Sequence, residues 1–198
     1  MAARPVTVAI TGGIGAGKSA ALAAFARHGA ATASSDEIVH RLLAADEQVL
    51  AALRERFGGR VFGPDGTVDR GALGELVFAD RDELAWLEGL LHPRVAAEYE
   101  RRRDELAASS DSPPAFVVEV PLLYETGGQR RFDAVVVVTA PEELRAARSA
   151  AARDRRADRL IPDDEKVRRA DFAYVNDGSL EQLDAFAAGV LERLAPAP

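Results

Sequence analysis

Short apolar runs rich in β-branched residues alternate along the chain with longer stretches of helical periodicity. The candidate strands are four such runs and a possible fifth: 6–11, 30–33, 115–120, 134–139 and 172–175. The fourth run contains four consecutive valines, so both of its faces are apolar, which is typical of a strand in a parallel sheet covered by helices on both sides. The pattern therefore predicts an α/β protein with a three-layer α/β/α core and a parallel five-stranded sheet.

The spacing between these runs is uneven. About eighty residues separate the second and third candidate strands, far more than one crossover helix requires. Helical patterning covers 37–57 and 82–106, and the glycine-rich segment 58–66 interrupts it. We interpret the whole insertion, 36–110, as a helical domain that covers the binding edge of the sheet.

A second insertion candidate is rich in arginine. Its arginines stand at positions 145, 148, 153, 155, 156 and 159. Guanidinium groups match phosphate oxygens in two-point geometry, so the cluster suggests a short lid over 141–166, although each arginine alone is more typical of a solvated helix face. The core then comprises 1–35, 111–140 and 167–198, and it ends in an amphipathic helix over 179–194 with Ser179 as its N-cap.

Composition and charge narrow the possible classes of protein. The net charge of −7 argues against a nucleic-acid partner, because such proteins normally carry a basic surface. The absence of cysteine excludes disulfides and thiolate chemistry. No apolar run approaches the roughly 20 residues that cross a bilayer, so we expect a soluble cytoplasmic protein without a membrane partner. The sequence does not determine the oligomeric state, and a monomer is favoured.

A glycine-rich segment directly follows the first predicted strand and precedes a helix-like stretch. It matches the pattern G-x-x-x-x-G-K-[ST] in full: Gly12, Gly13, Ile14, Gly15, Ala16, Gly17, Lys18 and Ser19. Its glycines let backbone amides converge on a phosphate, to which Lys18 adds a charge, and Ser19 offers a hydroxyl to Mg²⁺. The motif predicts a nucleotide-binding P-loop. The alternative, a glycine-rich turn without a ligand, requires the Lys-Ser pair and both flanking elements to coincide by chance.

Other positions favour a small-molecule kinase among the P-loop proteins. The stretch 176–179 reads N-D-G-S and lacks the N-K-x-D pattern with which GTPases read guanine, and the chain is short for a mechanical ATPase. Asp36 follows the second predicted strand at the edge where open α/β sheets gather ligands, and it is our candidate acceptor base; the alternative is helix N-capping. Glu119 ends the third strand at the same edge. We expect it to hold magnesium-bound water or another loop; the alternative is a role only in packing or in a salt bridge.

Together these features resemble the dephospho-CoA kinase family over nearly the whole chain. The similar stretches are 8–19 with its T-G-G-I-G opening, 87–95 with H-P-x-V, 120–125 with P-L-L-x-E, and 166–172 followed by 176–180. The resemblance implies that the chain uses ATP and Mg²⁺ to phosphorylate the ribose 3′-hydroxyl of dephospho-CoA.

The resemblance also implies roles for individual residues. Asp36 would be the catalytic aspartate, and Arg153 would be the arginine of the transition state, with Arg148 and Arg156 as rivals. The remaining implied positions are Thr11 on the acceptor side, His92 and Arg94 in the acceptor domain, and Asn176 and Gly178 on the adenine side. Glu119 and Leu122 are further candidates for substrate binding. Without the resemblance, His92 would be interpreted as a core or capping residue.

Three departures from the family pattern stand out. Ser34-Ser35-Asp36 replaces D-A-D, so only the second aspartate is retained. The lid is several residues shorter than in the family pattern, so Arg148 and Arg156 stay open as alternatives to Arg153. Ala20 replaces a frequent threonine, a change we expect to be mild because Ser19 already supplies the magnesium hydroxyl.

Two alternative functions stay open at this point. The first is a kinase of the same fold that acts on a nucleoside monophosphate. The second is a regulatory module that hydrolyses the nucleotide as a timer, for which steady ATP consumption without an acceptor would be the sign.

Overall fold

The apolar runs of the sequence form one parallel sheet. In the structure, a computed structural model that describes residues 4–148 and 160–195, the strands are β1 (Val6–Thr11), β2 (Ala31–Ser34), β3 (Ala115–Glu119), β4 (Ala134–Thr139) and β5 (Phe172–Val175). Their order is β2-β3-β1-β4-β5, and every neighbouring pair is parallel. The predicted five-stranded parallel α/β fold is confirmed. The sheet belongs to the first of two units into which the chain divides, Met1–Ser35 with Arg103–Pro198.

Helices cover both faces of the sheet in this unit. On one face, α1 (Lys18–Arg27) and α8 (Leu180–Leu194) pack against alternate residues of β1, β3 and β4, with Phe25 fully buried among them. On the other face lie Leu123, Tyr124 and the segment that leads into α7 (Asp163–Arg169). The unit also contains a 3-10 helix (Gly128–Arg131) and α6 (Glu142–Arg148).

The predicted N-cap of the last helix is confirmed. Ser179 stands directly before α8, and its hydroxyl accepts a hydrogen bond from Gln182 N at 3.4 Å. Gln182 Oε1 in turn accepts from Ser179 N at 2.8 Å, which completes a capping box.

The second unit, Asp36–Arg102, is helical. Its elements are α2 (Ser35–Ala45), α3 (Glu47–Phe57), a 3-10 helix (Gly58–Val61), α4 (Arg70–Ala79) and α5 (Arg81–Ala108), of which α2 starts and α5 ends in the first unit. Val49, Leu53 and Phe57 of α3 form its core with residues of α4 and α5. None of the helices within the described ranges has both the length and the apolar character needed to cross a bilayer.

The helical patterning over 37–57 is confirmed, and it belongs to two helices, α2 and α3. Asp46 has an extended backbone, and its carboxylate accepts a hydrogen bond from Val49 N at 2.9 Å, so it ends α2 and caps α3. Helix 82–106 is confirmed as α5, which continues through Pro93. Helix α4 was not predicted, because its two glycines lower the helical preference of a short segment.

Asp133 joins the start of β1 to the start of β4. Its carboxylate accepts hydrogen bonds from Thr7 N at 2.8 Å, Thr7 Oγ1 at 2.7 Å and Arg4 Nη2 at 2.7 Å. Burial acts to raise the pKa of Asp133, but the hydrogen bonds from Thr7 and the charge of Arg4 outweigh it and hold the pKa below its ordinary value.

This lowered pKa predicts a specific acid sensitivity. The stabilisation is fully present above the unfolded-state pKa of about 3.9 and is lost as the pH falls through the lower folded-state value. We expect Asp133→Asn to flatten the fall of the unfolding free energy below about pH 4, measured by urea titration from about pH 2.5 to 7. Asp111→Asn, at an exposed carboxylate, should keep the wild-type slope. An unchanged acid slope in Asp133→Asn would contradict the assignment.

Candidate functional site

The glycine-rich motif forms the loop between β1 and α1, and we call its residues 12–19 the cradle. Gly12 has φ 146°, and a Cβ there would run into Val138 O on β4. Gly17 has φ 93° and is the N-cap of α1; a Cβ there would run into Asn176 Nδ2. The loop therefore requires glycine at both ends, because side chains would break its contacts with the neighbouring strands.

The cradle directs donors towards an anion. Because Gly17 has no side chain, the first amides of α1 carry no side-chain cap, and such amides attract phosphate. Lys18 Nζ donates to Gly12 O at 3.2 Å and to Gly13 O at 3.0 Å, so the ammonium group lies across the start of the loop. The cradle therefore brings together the N-terminus of α1 and the positive charge of Lys18, both of which attract an anion.

Two oxygen-bearing side chains meet beside the cradle. Ser19 Oγ lies 3.1 Å from Glu119 Oε2, and Glu119 is 9% exposed at the end of β3. Ser35 Oγ donates to Glu119 O at 2.7 Å, which attaches the end of β2 to the same point. A hydroxyl and a carboxylate are the hard oxygen ligands that Mg²⁺ prefers, so these residues fit a magnesium ion or its bound water.

Thr11 contacts the P-L-L-x-E stretch. The side chain is fully buried, and Oγ1 donates to Pro121 O at 3.3 Å. Leu122 follows and is half-buried, and Leu122 O accepts a hydrogen bond from Thr126 Oγ1 at 2.8 Å. Thr11 thus contacts the residue that precedes Leu122, at the carboxyl edge of the sheet.

Asn176 holds the cradle in place through a hydrogen bond from its side-chain amide. It is 6% exposed, and its Nδ2 donates to Ala16 O at 2.9 Å while its backbone N donates to Thr139 O at 2.7 Å. Gly178, two residues later, is exposed, and a Cβ there would run into Gln182 Oε1 of the capping box. Sequence reasoning placed Asn176 on the adenine side and missed that its amide holds the loop.

The predicted residues of the second unit lie on α2 and α5. Asp36 is exposed in the first turn of α2; because that helix begins at Ser35, the alternative that Asp36 is its N-cap is wrong. His92 is exposed in the interior of α5, so it is neither a core nor a capping residue. Arg94 Nη1 donates to Leu90 O at 2.7 Å, and Nη2 donates to Gln48 Oε1 at 3.2 Å.

The lid arginines are described only in part. Arg153 and its rival Arg156 lie outside the described residues. The other rival, Arg148, ends α6, and its Nη1 donates to Asn176 O at 3.3 Å. Among the described arginines of the predicted lid, Arg145 also contacts the cradle region, paired with Asp163 at 2.9 Å.

A buried ion pair connects two stretches that sequence reasoning used only as family motifs. Lys166 is fully buried on α7, and its Nζ lies 2.8 Å from Glu125 Oε1. The same oxygen accepts a hydrogen bond from Ile161 N at 2.9 Å. The pair fixes the described segment that leads into α7 against the P-L-L-x-E turn, and its signal in the sequence was the presence of both residues within the two motifs.

The fold and the cradle define the class of protein. A strand, a glycine-rich loop ending in Lys-Ser and a helix, set in a parallel α/β sheet, are the features of a P-loop nucleotide-binding protein. The family model described as dephospho-CoA kinase matches residues 6–182. The chain therefore belongs to the dephospho-CoA kinase family, whose members phosphorylate dephospho-CoA to coenzyme A with ATP, and the predicted family and enzyme class are confirmed.

Individual relatives are similar over nearly the whole chain. A dephospho-CoA kinase from Leifsonia xyli is 37% identical over an alignment 194 positions long, which covers 92% of this chain and 98% of the relative. A Thermus thermophilus protein of known crystal structure is 34% identical with a TM-score of 0.80, covering 98% of this chain and 100% of the other. Dephospho-CoA kinase from Campylobacter jejuni has a TM-score of 0.66 at 24% identity, covering 98% and 99%, and this likeness supports the fold alone.

Proposed function

We propose that the cradle binds MgATP and that the terminal phosphoryl group passes to the ribose 3′-hydroxyl of dephospho-CoA. The observation that carries the proposal is the meeting of the cradle, Lys18, and the Ser19–Glu119 pair at the carboxyl edge of the sheet. Open α/β sheets bind their ligands at this edge, where neighbouring connections run to opposite sides. The match to the dephospho-CoA kinase family favours this acceptor over a nucleoside monophosphate.

The nucleotide side of the reaction depends on charge placement. Lys18 would hold the β- and γ-phosphates, while the amides of the cradle bind the phosphate chain. Ser19 would hold Mg²⁺, with Glu119 holding the ion's water shell, and the ion, when bound, offsets charge on the phosphate oxygens. Arg153 would add a further positive charge at the transferred group, from the predicted lid over 141–166.

The acceptor side of the reaction begins at Asp36. This residue directly follows Ser35, whose hydroxyl donates to Glu119 O, so chain connectivity joins Asp36 to the edge that carries the magnesium candidates. Asp36 would orient the 3′-hydroxyl and accept its proton as the oxygen attacks phosphorus. Thr11 and Leu122 would contact the acceptor at the sheet edge, with His92 and Arg94 serving in the helical domain.

The cellular setting follows from the substrates. We propose a cytoplasmic enzyme, because the reaction consumes ATP and the cysteine-free chain is compatible with a reducing compartment. We also propose a monomer, which light scattering at several protein concentrations can test.

A comparison of acceptors tests the proposed function. Dephospho-CoA, AMP, CMP and UMP are each incubated with MgATP and the enzyme, and ADP formation is followed. We expect acceptor-dependent ADP formation with dephospho-CoA at a rate well above that with any monophosphate. Turnover with a monophosphate alone would contradict the acceptor assignment, and equal ADP formation with and without acceptor would favour a hydrolytic regulatory module.

The magnesium role of Ser19 gives a further prediction. We expect Ser19→Ala to raise the Mg²⁺ concentration for half-maximal rate by about tenfold, because the ion loses one oxygen ligand. The measurement is the initial rate over a magnesium titration at saturating ATP. Ser110→Ala, at an exposed serine, is the control. If Ser19→Ala lowers the rate equally at all magnesium concentrations, the hydroxyl has another role.

A further inference from the structure

A guanidinium and a carboxylate from outside the cradle lie against its second residue. A Cβ placed on Gly13 would be 2.7 Å from Arg145 Nη1 and 2.7 Å from Asp163 Oδ2. Arg145 belongs to α6, whereas Asp163 is the first residue of α7, and the two side chains pair at 2.9 Å. Two separate helices, α6 and α7, therefore bring opposite charges to the same residue of the cradle.

Arg145 also approaches the cradle with its backbone. A Cβ placed on Gly15 would be 2.7 Å from Arg145 O. Lys18 Nζ meanwhile donates to Gly13 O at 3.0 Å. Lys18 and Arg145 thus bring two positive charges to Gly13, one from within the cradle and one from α6.

A phosphate group can replace Asp163 as the partner of Arg145. The side chains are 32% and 22% exposed, so water reaches both, and an ion pair of this kind contributes little stability. A phosphate group offers a guanidinium several anionic oxygens in matching two-point geometry, which a carboxylate offers only once. A polyphosphate bound in the cradle would be the better partner for Arg145, and Asp163 would then be a like charge beside the phosphates.

We propose that Arg145 binds the phosphates of ATP and that Asp163 competes with those phosphates for it. Asp163 thereby weakens ATP binding, and it sets the affinity through Arg145. This proposal rests on the proposed function, since it requires ATP in the cradle. It assigns roles to two residues that the family motifs do not include.

Calorimetric titration of the full chain with MgATP tests the proposal. We expect Arg145→Gln to raise the Kd for ATP by about tenfold or more, because a charge-assisted contact is lost. We expect Asp163→Asn to lower that Kd by about threefold, because a competing, partly exposed charge is removed. The Arg145→Gln/Asp163→Asn double variant should bind like Arg145→Gln alone, because Asp163 acts through Arg145.

The chain offers matched controls on α7. Asp164 and Arg168 pair with each other at 2.8 Å and are 70% and 66% exposed, so Asp164→Asn and Arg168→Gln make the same charge changes in an exposed pair on α7. Both controls should leave the Kd for ATP within about twofold of wild type, since exposed charges are screened. Titration with adenosine, which lacks phosphates, should show no difference between Asp163→Asn and wild type.

Shifts of the Kd for ATP in opposite directions in Arg145→Gln and Asp163→Asn would not arise from a purely structural contact. If Asp163→Asn weakens ATP binding, or matches Asp164→Asn, the proposal is wrong while the cradle assignment stands. If wild-type protein binds no ATP, the proposed function fails as well. Thermal unfolding of each variant identifies any change in affinity that comes from loss of folded protein.

Discussion

Replacement of Asp36 with asparagine is expected to lower kcat by about 10²–10⁴-fold, the usual contribution of a positioned general base. Asparagine keeps the size and polarity of the side chain but accepts no proton from the ribose hydroxyl. The Kd for MgATP should stay unchanged, because Asp36 is assigned to the acceptor and not to the cradle. Steady-state assays with dephospho-CoA, combined with calorimetry for ATP, separate the two effects.

Glu37 provides the matched control. It is also exposed in the first turn of α2, so Glu37→Gln makes the same change of charge one residue away. We expect Glu37→Gln to keep kcat within about twofold of wild type, as for other exposed substitutions. Wild-type turnover by Asp36→Asn would remove this residue from the mechanism, and the acceptor base would have to be sought elsewhere.

The second large effect concerns folding stability. Lys166→Met is expected to lower the unfolding free energy by about 3–5 kcal/mol, because it leaves the carboxylate of Glu125 buried without its partner. The pair has side-chain exposures of 0% for Lys166 and 7% for Glu125. Urea unfolding followed by circular dichroism measures the change directly.

Two further variants separate the pair from the surrounding packing. Glu125→Leu/Lys166→Met removes both charges and should recover much of the lost stability, because a buried ion pair often contributes little over apolar residues of similar size. Arg168→Met breaks an exposed pair on the same helix and should cost about 0–1 kcal/mol. If the double variant is as unstable as Lys166→Met, the loss comes from packing and not from the unpaired charge.

The sheet was predictable because its strands carry their own signal. β1, β3 and β4 are buried at nearly every position, and their β-branched runs show it directly in the sequence. β2 was the least distinct run, since its short sequence contains alanine, threonine and serine and its residues are only partly buried or exposed. The cradle was equally clear, because its glycines are required by local geometry as well as by a ligand.

The contacts between distant segments were not predictable in this way. The stretch 163–169 reads D-D-E-K-V-R-R, a pattern typical of an exposed helix, yet Lys166 within it is fully buried. Its burial depends on Glu125, about forty residues earlier, and no local sequence pattern predicts a contact between residues that far apart. The same holds for Asp163 with Arg145 and for Asn176 with Ala16, which meet only because the strand order brings β1, β4 and β5 together.

The central claim is the transfer of phosphate from ATP to the ribose 3′-hydroxyl of dephospho-CoA, and identification of the product tests it most directly. After reaction with MgATP, phosphorus NMR and mass spectrometry of the purified product should show one new phosphomonoester at the 3′ position, equal in amount to the ADP formed. ADP that accumulates while dephospho-CoA stays unmodified, or a phosphate at another position, would contradict the account.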